Sequence, residues 1–150
     1  MNSTAAIFAR LTGDATLTDL LKEWRGEPAV FSDRAPDALF IGDDGQPAPL
    51  GGIILIIASP ADDRPVETFT ERARDITRDV RGYAPDTGSS LALDTVMERV
   101  RVLFHNQPSA LTVTGGTVQI ARVTGPVASL TTDPALIGRR VTLRLEIEEA

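Results

Sequence analysis

Residue types able to do covalent chemistry are scarce in this chain of 150 residues, which has no cysteine, one histidine (His105) and one lysine (Lys22). Without cysteine there can be no disulfide, thiolate-held zinc, iron–sulfur cluster or thiol nucleophile. His105 falls at the C-terminal end of a predicted helix, where the helix dipole favours an imidazolium, and one histidine cannot complete a zinc set. Its reading is structural. Lys22 is not preceded by Gly-x-x-x-x-Gly, and neither Gly-x-Gly-x-x-Gly nor Gly-x-Ser-x-Gly occurs, so nucleotide-binding and hydrolase signatures are missing. What remains is two carboxylate pairs, Asp43-Asp44 and Asp62-Asp63, a type of pair that can hold Mg²⁺ for phosphoryl chemistry. Their contexts, Asp-Asp-Gly and Pro-Ala-Asp-Asp-Arg-Pro, are equally those of turns. A Mg²⁺-dependent nuclease also brings basic groups to the scissile phosphate. The expectation is therefore no metal, no cofactor and no catalytic residue.

Charge points the same way: 15 Lys and Arg against 21 Asp and Glu leave a net charge of −6. That sign opposes a role in gripping nucleic acid through its phosphates. With 42% hydrophobic and 24% charged residues the composition is ordinary for a globular chain. A chain of this length buries roughly 70% of its unfolded surface in one domain, here residues 1–150. The N-terminus shows no basic segment followed by an apolar one, so no signal peptide is read. The strongest apolar run, 53–58, is far short of the roughly 20 residues of a spanning helix, which makes a soluble, cytoplasmic protein the default.

The elements that would position these groups follow from periodicity. Ile7, Leu11, Leu17, Leu20 and Leu21 mark two short helical pieces broken at Thr12-Gly13-Asp14, with the Thr16 hydroxyl expected to cap the second. From about 25 to 50 the pattern is lost among glycines, prolines and Asp43-Asp44-Gly45, the mark of a long loop. The β-branched run 53–57 reads as a central strand, and 59–70 as a second loop. Phe69, Ala73, Ile76, Val80 and Tyr83 follow helical spacing, although a strand is the other reading of that segment. After hydroxyl-rich Thr87-Gly88-Ser89-Ser90, the stripe Leu93, Val96, Met97, Val100, Leu103 and Phe104 predicts an amphipathic helix. Residues 111–123 read as a hairpin or bent strand turning at Gly115-Gly116. Val141, Leu143, Leu145 and Ile147 alternate with polar residues as a half-buried strand.

In order and spacing the chain resembles the tail-completion or tail-terminator proteins of long-tailed phages, prophages and gene transfer agents. The resemblance lies in four stretches: 7–17 as the opening helix and its break, Phe31-Ser32-Asp33-Arg34-Ala35-Pro36-Asp37 before the first strand, 75–84 as the second strand leading directly into the long helix, and 139–148 as the closing strand. It covers most of the chain without a catalytic fingerprint. The loop at 40–52 and the acidic Asp62-Asp63 connection are longer than the family pattern. The resemblance overrides periodicity at 70–84 and makes that segment a strand.

The expected fold is α+β, a two-layer, four-stranded, mainly antiparallel sheet with helices on one face, in the order α-β-β-α-β-β. The resemblance implies a virion structural protein that forms a homo-oligomeric ring, a hexamer, at the head-proximal end of the tail. There it ends tail-tube polymerisation and joins tail to head, with the tube protein and a head-completion or connector protein as partners. It implies assembly in the bacterial host cytoplasm, DNA only as cargo in the lumen, and no membrane. Within that reading the charge lattice assigns Arg72, Arg74 and Arg78 to a subunit interface. The acidic residues Asp43, Asp44, Asp62 and Asp63 are assigned to lumen or partner loops. Residues alone also admit a small cytoplasmic protein-binding or scaffold module using the loops at 25–50 and 59–70, and more remotely a Mg²⁺-dependent enzyme.

Overall fold

The computed structural model describes residues 2–68 and 71–150. Phe69, first in the helical stripe read from the sequence, and Thr70, the end of the second expected loop, lie outside the described residues. Helix α1 (Ser3–Thr12) starts at Asn2, whose Oδ1 accepts the Ala5 N–H at 3.0 Å. Helix α2 (Ala15–Thr18) is capped by Asp14, which accepts the Leu17 N–H at 2.9 Å. The two short helical pieces are present, but the expected Thr16 cap is corrected: Thr16 lies inside the first turn, and the carboxylate two residues earlier does the capping.

A small hairpin, β1 (Glu23–Trp24) with β2 (Glu27–Pro28), turns at Arg25 and Gly26, both at positive φ as a two-residue hairpin turn requires. Then come β3 (Val30–Ser32), a 3₁₀ turn (Asp37–Phe40), β4 (Ile54–Ile57), β5 (Asp62–Glu67) and β6 (Arg72–Pro85). Helix α3 (Leu91–Phe104) leads to β7 (Thr112–Val113), β8 (Gly116–Ala128) and β9 (Leu136–Glu149). The main sheet has seven strands in the order β3-β4-β6-β9-β8-β7, with β5 paired to β6 beyond the end of β4. Among the described residues only β3 with β4 is parallel.

The α+β class and the mainly antiparallel pairing match expectation; the four-stranded count does not. β3 is too short to show a period and β5 carries charge on both faces, so neither reads as a strand; β7 is the first arm of the hairpin read at 111–123, which the four-strand count took as one strand. The expected loops at 25–50 and 59–70 are corrected accordingly: the first holds β2, β3 and the 3₁₀ turn, the second holds β5.

Both faces of one end of the sheet are covered, which also corrects the two-layer expectation. Ile53, Leu55 and Ile57 join the main core with the α1 and α3 side chains. Ile54 and, in part, Ile56 face the other way, under Leu39, Phe40 and Leu50 of the 33–50 segment. Coverage on both sides is why the run is apolar throughout. The whole predicted α3 stripe is buried, none of it more than 3% exposed. The segment at 72–85 is a strand, as the family resemblance required. Ile76 and Val80 sit in the helix-side core while Tyr83 joins the opposite cluster, so the helical spacing mixes residues from two faces of one strand.

Candidate assembly surfaces

β5 lies along one side of the first half of β6, its ladder running from Asp62 opposite Thr77 to Glu67 opposite Arg72, while β9 pairs with the other side of β6 from Ala73 onward. Cross-strand ion pairs lace it. Asp63 Oδ1 accepts Arg74 Nε at 2.9 Å and Nη2 at 2.8 Å, and Arg74 Nη1 lies 3.8 Å from Glu149. The bonds from Asp63 hold the Arg74 guanidinium above its already high ordinary pKa. Asp62 pairs with Arg64 at 2.8 Å, and Asp75 takes two bonds from Arg144 at 3.2 and 3.0 Å.

The three arginines assigned from the sequence therefore separate. Arg74 has its acidic partners within the same chain, and Arg72 stands exposed opposite Glu67. Arg78 is corrected: it is 3% exposed, and its hydrogen bonds go to hydroxyls and a carbonyl instead of carboxylates. Nη1 donates to Ser3 Oγ and Nη2 to Thr4 Oγ1, both at 2.8 Å, while Nε and Nη2 donate to the Ala58 carbonyl at 3.1 and 2.8 Å. It ties the start of α1 to the chain leaving β4, which removes it from any subunit surface. Burial pushes the Arg78 guanidinium below its ordinary pKa.

The four assigned aspartates also divide. Asp62 and Asp63 are corrected from loop to strand, where adjacent residues project to opposite faces and cannot converge on one ion. Each has an arginine partner. Asp43 and Asp44 do lie in an exposed loop, closed by the Ile41–Pro47 bridge and by a Gly42 N–H to Gln46 carbonyl bond of 2.8 Å. Asp44 Oδ1 accepts the Gln46 N–H at 3.0 Å, ordinary turn chemistry. Among the described residues no three His, Asp or Glu side chains group as a metal site, and no helix is long and apolar enough to cross a membrane. His105 ends α3, and its Nδ1 accepts the Val123 N–H at 3.1 Å.

Sequence reasoning missed a cleft of about 440 Å³ on the sheet face opposite α1 and α3. Phe40, Ile56, Tyr83 and Leu136 give it apolar lining, and Arg34 and Arg81 edge it. Arg81 stands directly across from Arg140 in the β6–β9 ladder. Both lean toward Asp79 Oδ2, at 3.7 and 3.9 Å, too far for hydrogen bonds. Asp79 Oδ1 instead accepts the Thr142 hydroxyl at 2.7 Å. The available signal was period two: once 72–85 is a strand, Asp79, Arg81 and Tyr83 share a face.

No protein-family model matches the sequence, and no curated protein matches it. Among solved structures, a chain from the virion of a native gene transfer agent (GTA) particle superimposes with a TM-score of 0.71 at 17% identity. The alignment covers 96% of this chain and 92% of that one. The two share a fold over essentially their full lengths.

Proposed function

We propose that this chain is a virion structural protein of a phage or gene transfer agent that assembles as a ring, a hexamer, at the head-proximal end of the tail. The observation that carries the reading is the fold likeness to a virion chain over almost the whole of both molecules. A likeness confined to a common core would leave room for a different insertion-borne function. Stacked tube rings meet through heterologous faces, and such a contact repeats until a subunit with a different second face occupies it. A terminating ring supplies that face, contacting the tube protein on one side and a head-completion protein on the other, with DNA passing through its lumen. No covalent step is needed. Assembly takes place in the host cytoplasm, before head and tail join.

Light scattering on the size-exclusion eluate, with negative-stain class averages of the same fraction, tests this. The expected result is six-fold rings. A stable monomer at high protein concentration overturns the ring and favours the small scaffold module.

A further inference from the structure

The sheet face turned away from α1 and α3 carries no second layer over the middle of β6, β9 and β8 among the described residues, and arginines collect on it. In β9, Val141, Leu143 and Leu145 are buried on the helix side, so Arg140, Thr142 and Arg144 face the other way. Arg81 of β6 stands directly opposite Arg140, and Arg122 of β8 directly opposite Arg144. Directly opposed residues share a face, which puts two arginine pairs on this side, about 13 Å apart along β9. Two carboxylates, Asp79 and Asp75, lie among them but low: their side chains are 12% and 14% exposed, against 41%, 46% and 62% for Arg81, Arg140 and Arg144. Arg122 is exposed as well, without an ion pair among the described residues. A molecule approaching the face meets guanidinium groups with the carboxylates beneath them. Like charges directly opposite in a ladder repel, so neither pair is placed for the stability of the sheet.

Guanidinium groups fit carboxylates and phosphates alike, and the surroundings decide between the two. Val127 stands opposite Arg140 and Ile120 opposite Glu146, on the same face, and both are exposed. Arginine beside an uncovered apolar side chain is the make-up of a protein contact, whereas a phosphate backbone has nothing apolar to set there. Glu146 and Glu148 continue the face beyond Arg144. A long polyanion running along β9 would meet those carboxylates, but a short acidic segment would not. The face therefore suits a protein segment with carboxylates beside apolar side chains, on a chain whose overall charge of −6 otherwise turns acidic partners away.

We propose that the open β6–β9–β8 face docks an acidic segment of a partner protein, with Arg122 and Arg140 pairing with its carboxylates and Val127 taking an apolar side chain. Arg144, already held by Asp75 through two bonds, adds charge without needing to move. The surface goes beyond the ring reading and does not depend on it. Isotope-labelled protein is titrated with a peptide of about ten residues, glutamates at i and i+4 and valines between them, at about 0.05 M salt. Nuclear magnetic resonance shifts centred on residues 120–127 and 139–144 are expected. Arg122→Gln with Arg140→Gln weakens binding roughly tenfold, and so does glutamine in place of the peptide's glutamates. Because these substitutions relieve repulsion across the ladders, the double variant melts no lower than the parent. Shifts that are absent or centred elsewhere, or a double variant that binds as well as the parent, overturn the proposal. Duplex DNA that binds this face more tightly than the peptide replaces the protein partner with a phosphate backbone. A double variant that loses the parent's oligomeric state puts a second copy on the face, and one that melts lower gives the arginines to the fold; each of these three results also overturns it.

Discussion

The backbone N–H of Val123 donates to His105 Nδ1 across 3.1 Å, and beside it the Asn106 N–H donates to the Ala121 carbonyl at 2.9 Å. Both bonds fall on the outer edge of β8, past the point where β7 stops pairing with it. The end of α3 thus occupies the place of a missing strand and closes an edge that would otherwise be open to another chain. His105→Ala leaves the Val123 donor without its partner, with an expected loss of about 1 kcal/mol, or about 2–4 °C in Tm. A thermal melt identical to that of the parent protein would show that the edge does not need the imidazole.

Arg78 carries a larger share of stability. Its planar fork satisfies Ser3, Thr4 and the Ala58 carbonyl at once, and an ammonium has no matching geometry. Arg78→Met strands those acceptors, and Arg78→Lys recovers only part of them. The expected losses are about 2–4 kcal/mol for the first and less for the second. Urea denaturation followed by circular dichroism reads both, and a midpoint for Arg78→Met equal to the parent's overturns the assignment.

Asp14 adds a pH dependence. It accepts Arg99 Nε at 2.9 Å and Nη2 at 2.8 Å while also capping α2. The Arg99 bonds, with the Leu17 N–H, hold its carboxyl below the ordinary value of 3.8. A depressed folded-state pKa means that the stabilisation is complete above the unfolded value and is lost as pH falls through the folded one. Stability should therefore drop below about pH 4, and the drop should be shallower in Asp14→Asn, which has no such proton to take up. At pH 7 that variant should be less stable by about 1 kcal/mol, because an amide can still cap α2 but no longer forms the ion pair with Arg99. Parallel pH profiles for the two proteins would exclude Asp14 as a source of the acid sensitivity.

How legible each element was follows from what its residues face. The α3 stripe could be read because one side of the helix meets the core and the other meets water. β9 was read in part for the same reason in period two, with Val141, Leu143, Leu145 and Ile147 all buried. β5 was not legible: Asp62 pairs with Arg64 along the strand and Asp63 with Arg74 across the ladder, and a run of charges on both faces has no hydrophobic period. The cleft was hidden for another reason, since its walls come from segments about 90 residues apart, at 33–40 and 130–136 around β4 and β6, and meet only in the folded sheet. Arg78 misled because a buried and an exposed arginine look alike in sequence; only the serine and threonine at the start of α1 set it apart.

The charge of the proposed ring gives the last prediction. Six copies of a chain with net charge −6 would make a body of −36, while Arg64, Arg74 and Arg144 are occupied by Asp62, Asp63 and Asp75 in the same chain. Among the four aspartates first assigned to a lumen, only Asp43 and Asp44 remain without a cationic partner among the described residues, on an exposed loop held by its own turn bonds. If that loop faces the passage, DNA meets carboxylates there, and no counterion-release gain holds it. The isolated ring should then show no binding to labelled duplex DNA by fluorescence anisotropy at about 0.15 M salt. Asp43→Lys with Asp44→Lys, which reverses both charges in every subunit, should create binding that weakens steeply as salt rises. Duplex binding by the parent ring at that salt overturns the repulsive passage, and a double variant that stays inert removes the 41–47 loop from it.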